Sequence, residues 1–78
     1  MKTNGHEIVR VGQEVKYRGG FGAGPARKAR INDIELCEEE HEKYGTPVEE
    51  VSVHELYKCV LDLSDGHWAY GYQVEEVL

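Results

Sequence analysis

The sequence predicts an all-β fold, a small barrel of about five to six short antiparallel strands with at most a 3₁₀ turn or one short helix. Short runs in which apolar and polar residues alternate indicate half-buried strands. Glycine punctuates these runs, with nine glycines in the chain. Asp65-Gly66 stands between two such runs and favours a tight hairpin, because glycine adopts positive φ without steric cost.

Length and composition predict one small globular domain. We expect the 78 residues to form a single barrel, with residues 1–6 frayed. A domain of this size buries only roughly 60% of the surface of its unfolded chain, which leaves little room for a deep catalytic pocket. The chain shows neither an apolar run of about 20 residues, as a membrane span needs, nor a secretory leader pattern. We therefore expect a cytoplasmic protein with no membrane partner.

The chain has two cysteines, Cys37 and Cys59, which are too few for a disulfide scaffold. We expect two small buried side chains in a reducing compartment. A bridge between neighbouring strands stays open if the compartment is oxidising.

The first part of the chain predicts two strands and a loop. Residues 7–11 form a short edge strand, and residues 13–17 form a second strand with Val15 and Tyr17 on one face. Residues 18–25 contain four glycines and a proline, which sustain neither a ladder nor a helix.

A longer strand is predicted over residues 26–36. Ile31 and Ile34 differ in parity, so a straight strand would place them on opposite faces of the sheet. A bulge at residues 32–33 would return both to the core. Residues 38–43 are rich in charge and are predicted to form a solvated loop.

Residues 48–56 admit two interpretations. The run Thr46-Pro47-Val48-Glu49 fits a capping box with proline at the first helical position, which favours a short helix. However, residues 48–53 repeat the apolar spacing of residues 31–36, which favours a strand that pairs with the earlier segment as an antiparallel hairpin. We favour the strand.

The C-terminal hairpin, with strands at residues 57–63 and 67–70, has two possible registers. A two-residue turn pairs Leu61 with Tyr70 and buries Tyr70 and Trp68 in the core. A three-residue turn with glycine in the left-handed conformation pairs Leu61 with Ala69 and turns both rings to the other face. We favour the buried register, because a small domain with one Trp and one Phe needs its large side chains for burial.

The order of these elements resembles that of the small SH3-like barrels, in particular the Tudor and KOW type. The matching features are a strand after a glycine at residues 12–17, the basic glycine-rich loop, and a second strand at residues 29–31. The strand at residues 57–63, the Asp-Gly turn and a closing strand at Val77 complete the pattern. The resemblance covers about residues 12–78 and concerns strand order alone, so it implies a barrel but no particular ligand residues.

Charge is unevenly distributed along the chain. Residues 15–32 carry five basic side chains and no acid, although the net charge of the chain is −6. A positive loop beside Tyr17 and Phe21 could bind phosphates and stack bases. The overall negative charge opposes general affinity for nucleic acid, because the far field repels a polyanion.

No pattern of catalytic chemistry is present. The four histidines lack metal-ligand spacing, and no nucleophile elbow or metalloprotease motif occurs. We therefore expect a protein that is not an enzyme, with no metal and no cofactor.

Three functions remain open, and a monomer is expected in each case. The favoured one is a non-catalytic module that binds a protein or peptide. The alternative is a nucleic-acid-binding domain that uses the basic segment 16–30. A third possibility is an accessory subunit whose acidic face meets a basic partner. The candidate binding residues are Lys16, Arg18, Phe21, Arg27, Lys28, Arg30, Trp68 and Tyr70.

Overall fold

The computed structural model describes residues 1–78 and confirms the all-β fold. Its only helical segments are three 3₁₀ turns, at Gly20–Gly22, Leu56–Lys58 and Gly71–Gln73. None is long and apolar enough to cross a membrane. Eight strands are present: β1 (Ile8–Arg10), β2 (Glu14–Arg18), β3 (Ala26–Leu36), β4 (Thr46–Val48), β5 (Glu50–Ser52), β6 (Cys59–Leu63), β7 (Trp68–Tyr70) and β8 (Val74–Val77).

The strands form two antiparallel sheets. β1 and β5 pair with each other alone, and the larger sheet has the order β7-β6-β3-β2-β8 with β4 also paired to β3. The first half of β3 pairs with β2, and its second half pairs with β6 and β4. The long strand β3 is therefore the spine that joins two differently composed parts of the sheet.

The predicted bulge in β3 is confirmed. The register between β3 and β6 shifts between Ile31, which pairs with Leu63, and Asp33, which pairs with Asp62. Both Ile31 and Ile34 are buried as a result. The bulge also decides which residues of the second half of β3 face outward.

One cluster of apolar side chains from both sheets forms the core. The small β1–β5 sheet contributes Val9 and Val51, so it closes the core although it shares no strand with the larger sheet. The remaining buried members are Val15, Tyr17, Ala29, Ile31, Ile34, Leu56, Cys59, Leu61, Leu63, Ala69, Val74 and Val77.

Thr46–Val48 and Glu50–Ser52 form strands, so the strand interpretation is confirmed for the first part of residues 48–56 and the helical one is wrong. Residues 53–55 lie in a turn instead. β4 pairs with β3 as the predicted hairpin, although β5 pairs with β1 instead. Pro47 is tolerated in β4 because this strand has β3 as its only partner, and proline is found on such edges. Leu56–Lys58 then makes a 3₁₀ turn, which leaves Tyr57 46% exposed rather than on the inner face of β6.

The start of the chain is tied to β8, which differs from the frayed start predicted. The backbone of Lys2 donates a 2.8 Å hydrogen bond to the carbonyl of Glu75 and accepts one of 2.9 Å from Val77. The side-chain amide of Asn4 also donates to the Val77 carbonyl, at 2.7 Å.

The C-terminal hairpin has the three-residue turn, so the buried register we favoured is wrong. Leu61 pairs with Ala69, and Asp62 pairs with Trp68. The backbone N–H of Leu63 donates to the carbonyl of His67 at 2.9 Å, and Gly66 has a φ of +86°. Trp68 and Tyr70 therefore point away from the core.

Polar contacts at the turn explain this register. The Asp65 carboxylate accepts a 2.5 Å hydrogen bond from the Tyr17 hydroxyl and one of 3.1 Å from the backbone of His67. The Ser64 hydroxyl accepts another from the backbone N–H of Arg30, at 2.9 Å. These contacts anchor the tip of the hairpin to β2 and β3, while smaller residues of β6 and β7 fill the core.

Candidate binding surface

Four aromatic side chains, which we call the aromatic cluster, meet on the outer side of the C-terminal hairpin. Trp68 and Tyr70 project outward from β7, while Ala69 between them faces the core. Phe21 reaches them from the glycine-rich loop, and Tyr72 joins them from the last 3₁₀ turn. Segments far apart in the sequence thus build one surface.

Tyr70 lies at the centre of this cluster. Its ring centroid is 5.2 Å from that of Trp68 in an edge-to-face pair, 5.6 Å from Tyr72 in a stacked pair and 6.2 Å from Phe21. Such geometries are favourable for aromatic pairs. Tyr70 is only 8% exposed, although it lies outside the main core, whereas Trp68 is 43% and Phe21 66% exposed. The cluster therefore has a rigid centre and an accessible apolar rim.

Phe21 occupies its exposed position with a strained backbone. Its φ of 58° and ψ of 31° are left-handed, a conformation that costs a residue with a side chain about 1–2 kcal/mol. The loop is held by a 2.9 Å hydrogen bond from the backbone of Gly24 to the carbonyl of Gly19. It is also held by the Arg18 guanidinium, which donates to the Gly24 carbonyl at 3.1 Å. The strained backbone thus supports an exposed ring rather than a buried one.

Gln73 and Gly71, which both follow β7, fix the aromatic cluster to the rest of the fold. The buried side chain of Gln73 accepts a 2.9 Å hydrogen bond from the Tyr70 backbone and donates one of 2.8 Å to the Arg18 carbonyl. Gly71 packs directly on the neighbouring 3₁₀ turn, where an added Cβ would lie 1.6 Å from the Leu56 carbonyl oxygen. Only glycine fits there, and its placement orients Tyr72.

The charged loop of residues 37–45 folds over part of this surface. The His41 ring lies 5.0 Å from the Tyr72 ring, and the Lys43 ammonium lies 5.3 Å from the centre of the Trp68 ring. The loop is secured at its end by Gly45, where an added Cβ would lie 2.3 Å from the Leu36 carbonyl oxygen. The prediction of a solvated loop holds for most of its side chains, but two of them contact the aromatic cluster.

Two cavities flank Trp68. The larger, of about 280 Å³, lies between the charged loop and the outer face of β3, β6 and β7. The smaller, of about 130 Å³, is lined by Gly20, Phe21, Trp68 and Gln73. The residues that line the larger cavity are Asp33, Glu35, Lys43, Tyr44, Val60, Leu61, Asp62 and Trp68.

Only four of the five basic residues predicted as binding residues share a face of the sheet: Lys16, Arg18, Lys28 and Arg30. Lys16 and Lys28 lie directly opposite each other on β2 and β3, but Lys16 also faces Glu76 on β8. Arg30 lies opposite Glu14 in the same way.

Arg18 and Arg27 each contact a side chain from another part of the fold. Arg18 forms an ion pair with Glu75. Arg27 lies opposite Tyr17 on the other face of the sheet, 3.3 Å from a ring nitrogen of His67. The positive charge of the basic segment is thus offset by neighbouring acids more than the sequence suggests.

Acidic groups near this segment are held ionised. A hydrogen bond from Asn4, together with the charges of Lys2, Lys16 and Lys28, lowers the pKa of Glu76 against a smaller effect of burial. Burial opposes ionisation of Asp65, but hydrogen bonds from Tyr17 and His67 outweigh it and lower the pKa of Asp65. Burial and the hydrogen bond to Asp65 both raise the pKa of Tyr17. These groups stabilise the fold.

The two cysteines are buried free thiols, as expected for small core residues. Burial raises the pKa of the Cys59 thiol to about 12 and also raises the pKa of Cys37. A protonated, buried thiol is a poor nucleophile. No group of three or more His, Cys, Asp or Glu side chains is arranged to hold a metal ion.

The sequence predicts Phe21, Trp68 and Tyr70 as binding residues, but most of the other residues of this surface are not predicted from it. The three-residue turn, the register not favoured from the sequence, predicts Asp62 and Val60 beside these rings, and the structure places them there. The bulge would have turned Asp33 to the same face. No local pattern indicates the contact between His41 and Tyr72, which depends on the path of a long loop.

Comparison of the chain with protein-family models, curated proteins and solved structures finds no match.

Proposed function

We propose that this protein is a non-catalytic binding module for a protein or peptide, and that the aromatic cluster is its contact surface. The observation that carries the proposal is the accessible rim of Phe21 and Trp68 around a rigid, buried Tyr70. We also propose that the fold is an SH3-like barrel. The strand order and the 3₁₀ turn before β8 support that assignment.

The energetics of binding favour this surface. Large, rigid aromatic side chains lose little conformational entropy on binding, and each buries an apolar area of about 150–250 Å². Trp and Tyr are enriched among interface residues whose truncation costs about 2 kcal/mol or more. Exposed apolar patches rimmed by polar groups are typical of interaction sites. Because Gln73 and Gly71 hold the cluster, little ordering is needed when a partner arrives.

Selection of peptides tests this proposal. A random peptide library is displayed against the immobilised protein, and the enriched peptides are measured against Phe21→Ala and Trp68→Ala. We expect each variant to weaken binding at least tenfold, the equivalent of about 1.4 kcal/mol. Tyr57→Ala is the matched control, because Tyr57 is 46% exposed but lies outside the cluster. Equal losses in all three variants, or none in the two cluster variants, would refute the proposal.

Nucleic-acid binding is the second candidate, and one observation favours it. Lys16 and Lys28 face each other across β2 and β3, and Arg18 and Arg30 share that face, so four cations lie together although neighbouring acids offset part of their charge. A DNA oligonucleotide that binds there should shift the amide resonances of β2 and β3. The logarithm of its affinity should also fall linearly with the logarithm of salt concentration. Lys16→Glu combined with Lys28→Glu should abolish binding, and unchanged amide resonances in the wild-type protein exclude this function.

A further inference from the structure

The larger cavity beside Trp68 has an acidic floor. Across β3, β6 and β7, Asp33 lies opposite Asp62, and Asp62 lies opposite Trp68, so the two carboxylates and the indole form one row. Glu35 lies on the same face of β3, two residues further along. The charged loop supplies the wall opposite, with Lys43 and Tyr44.

These three carboxylates have no cation paired with them. The ion pairs of the structure involve Glu40, Glu50, Glu55, Glu75 and Glu76, but none of the acids in the cavity. Asp33 and Asp62 also face each other directly, and like charges in that position are unfavourable. The acidic floor is therefore a feature that folding does not require and that a positive ligand would stabilise.

The cavity already attracts one ammonium group. The Nζ of Lys43 lies 5.3 Å from the centre of the Trp68 ring, within the range of a cation–π interaction. This single cation faces three carboxylates, so the cavity keeps an excess of negative charge. An exposed aromatic face beside carboxylates is suited to an organic cation, which has both a charge and an apolar stem.

A metal ion is a poor match for the same residues. The carboxylates are spread along two strands, and no group of three acidic or histidine side chains converges closely enough to coordinate an ion. A cavity of about 280 Å³ has room for a side chain instead. The chemistry thus indicates an extended cationic group.

We propose that this cavity receives a lysine or arginine side chain of the partner peptide, with its charge toward Glu35 and Asp62 and its stem against Trp68. Lys43 is the intramolecular competitor for the same aromatic face. This inference rests on the proposed function and names the chemistry of its partner.

Fluorescence provides a direct test, because Trp68 is the only tryptophan in the chain. A blocked tetralysine peptide is titrated into the protein while the Trp68 emission is followed. A tetra-acetyllysine peptide of equal length is the uncharged control. We expect saturable change with tetralysine alone. Equal changes with both peptides would overturn the proposal, as would no change with tetralysine.

Matched variants separate the cavity from the general negative charge. Glu35→Gln combined with Asp62→Asn should weaken tetralysine binding by about fivefold, a typical effect for screened charge pairs. Glu7→Gln combined with Glu49→Gln removes the same charge from exposed acids that do not line the cavity. Equal weakening by the two double variants would overturn the proposal, because it would show attraction by net charge alone.

Removal of the competitor gives the opposite result. Lys43→Ala should tighten tetralysine binding by about twofold, since it frees the ring face and removes a repelling charge. Lys28→Ala changes the net charge equally but at a distance from the cavity. Equal tightening by both variants would contradict the role given to Lys43.

The selected library peptides distinguish this inference from the proposed function. If they require Phe21 and Trp68 but contain no Lys or Arg and ignore Glu35→Gln, the cation site fails while the binding function stands. If they ignore Phe21 and Trp68, the proposed function itself fails.

Discussion

The two halves of β3 carry charge in different ways. Before the bulge the strand is basic, and acids on the neighbouring strands face its cations and those of β2, as Glu14 faces Arg30 and Glu76 faces Lys16. After the bulge the outward residues are acidic, and Asp33 meets Asp62 with no cation between them. The first half is a balanced surface, whereas the second is unbalanced and lies beside the aromatic cluster. The difference shows that the fold can offset a concentration of charge that the sequence alone suggests is free.

The largest expected effect comes from Gly71, because Gly71 positions Tyr72 in the aromatic cluster. Gly71→Ala places a Cβ 1.6 Å from the Leu56 carbonyl oxygen, so the two 3₁₀ turns must separate. We expect a loss of more than about 3 kcal/mol in the free energy of unfolding, or no folded protein. Urea denaturation measures it. Gly19→Ala is the control, since Gly19 has open space around it, and it should change stability by less than about 0.5 kcal/mol.

The next largest effect tests how Gln73 links the aromatic cluster to β2. Gln73→Leu removes the hydrogen bonds to the Tyr70 amide and the Arg18 carbonyl and leaves both groups without their partner. Leaving buried polar groups unpaired should lower the free energy of unfolding by about 2–3 kcal/mol. A loss below about 0.5 kcal/mol, the effect of an ordinary surface substitution, would show that other contacts hold the aromatic cluster to β2.

A hydrogen bond from the Tyr17 hydroxyl to the Asp65 carboxylate anchors the tip of the C-terminal hairpin to β2. Tyr17→Phe should cost about 1.5–2 kcal/mol at neutral pH, as expected for a hydrogen bond to a carboxylate. The pKa of Asp65 is lowered by folding, so its contribution is present above its ordinary value of 3.8 and is lost as pH falls through the lower folded value. Urea denaturation from pH 7 to pH 2 should show the variant and the wild type converging in acid. A difference that stays constant throughout would contradict the role of the carboxylate.

The smallest effect compares the two halves directly. Asp62→Asn removes an unbalanced repulsion and should raise the free energy of unfolding by about 0.2–1 kcal/mol. Lys16→Gln removes a repulsion from Lys28 but also an attraction to Glu76, so it should have almost no effect. Thermal unfolding at low salt measures both, and 1 M salt should abolish the gain because it screens the charges. An equal gain in stability from Lys16→Gln and Asp62→Asn would contradict the claim that charge is balanced in the first half of β3 and unbalanced in the second.

Much of the fold follows from local pattern. The strand over residues 26–36 and the bulge within it rest on neighbouring residues, and the structure contains both. The glycine-rich segment lies outside the strands as predicted, although a 3₁₀ turn forms within it at Gly20–Gly22. The register of the hairpin was mispredicted because its anchors are distant in sequence. Tyr17 and Asp65 are 48 positions apart, and Arg30 and Ser64 are 34 apart. Ring size alone does not predict those hydrogen bonds.

The candidate surface was predictable only in part, for a related reason. Phe21, Trp68 and Tyr70 attract attention by residue type, but the acidic cavity exists only once the bulge and the register are known. The basic segment suggests a binding site in the sequence, but in the fold neighbouring acids offset much of its charge.

We propose that Trp68 stands on an accessible binding surface rather than in the core, and its fluorescence tests this most directly. The free protein should show emission close to that of tryptophan in water and ready quenching by acrylamide, because the indole is 43% exposed. A selected peptide should shift the emission to shorter wavelength and protect it from quenching. Emission at short wavelength with resistance to acrylamide in the free protein would mean a buried indole and would contradict the account.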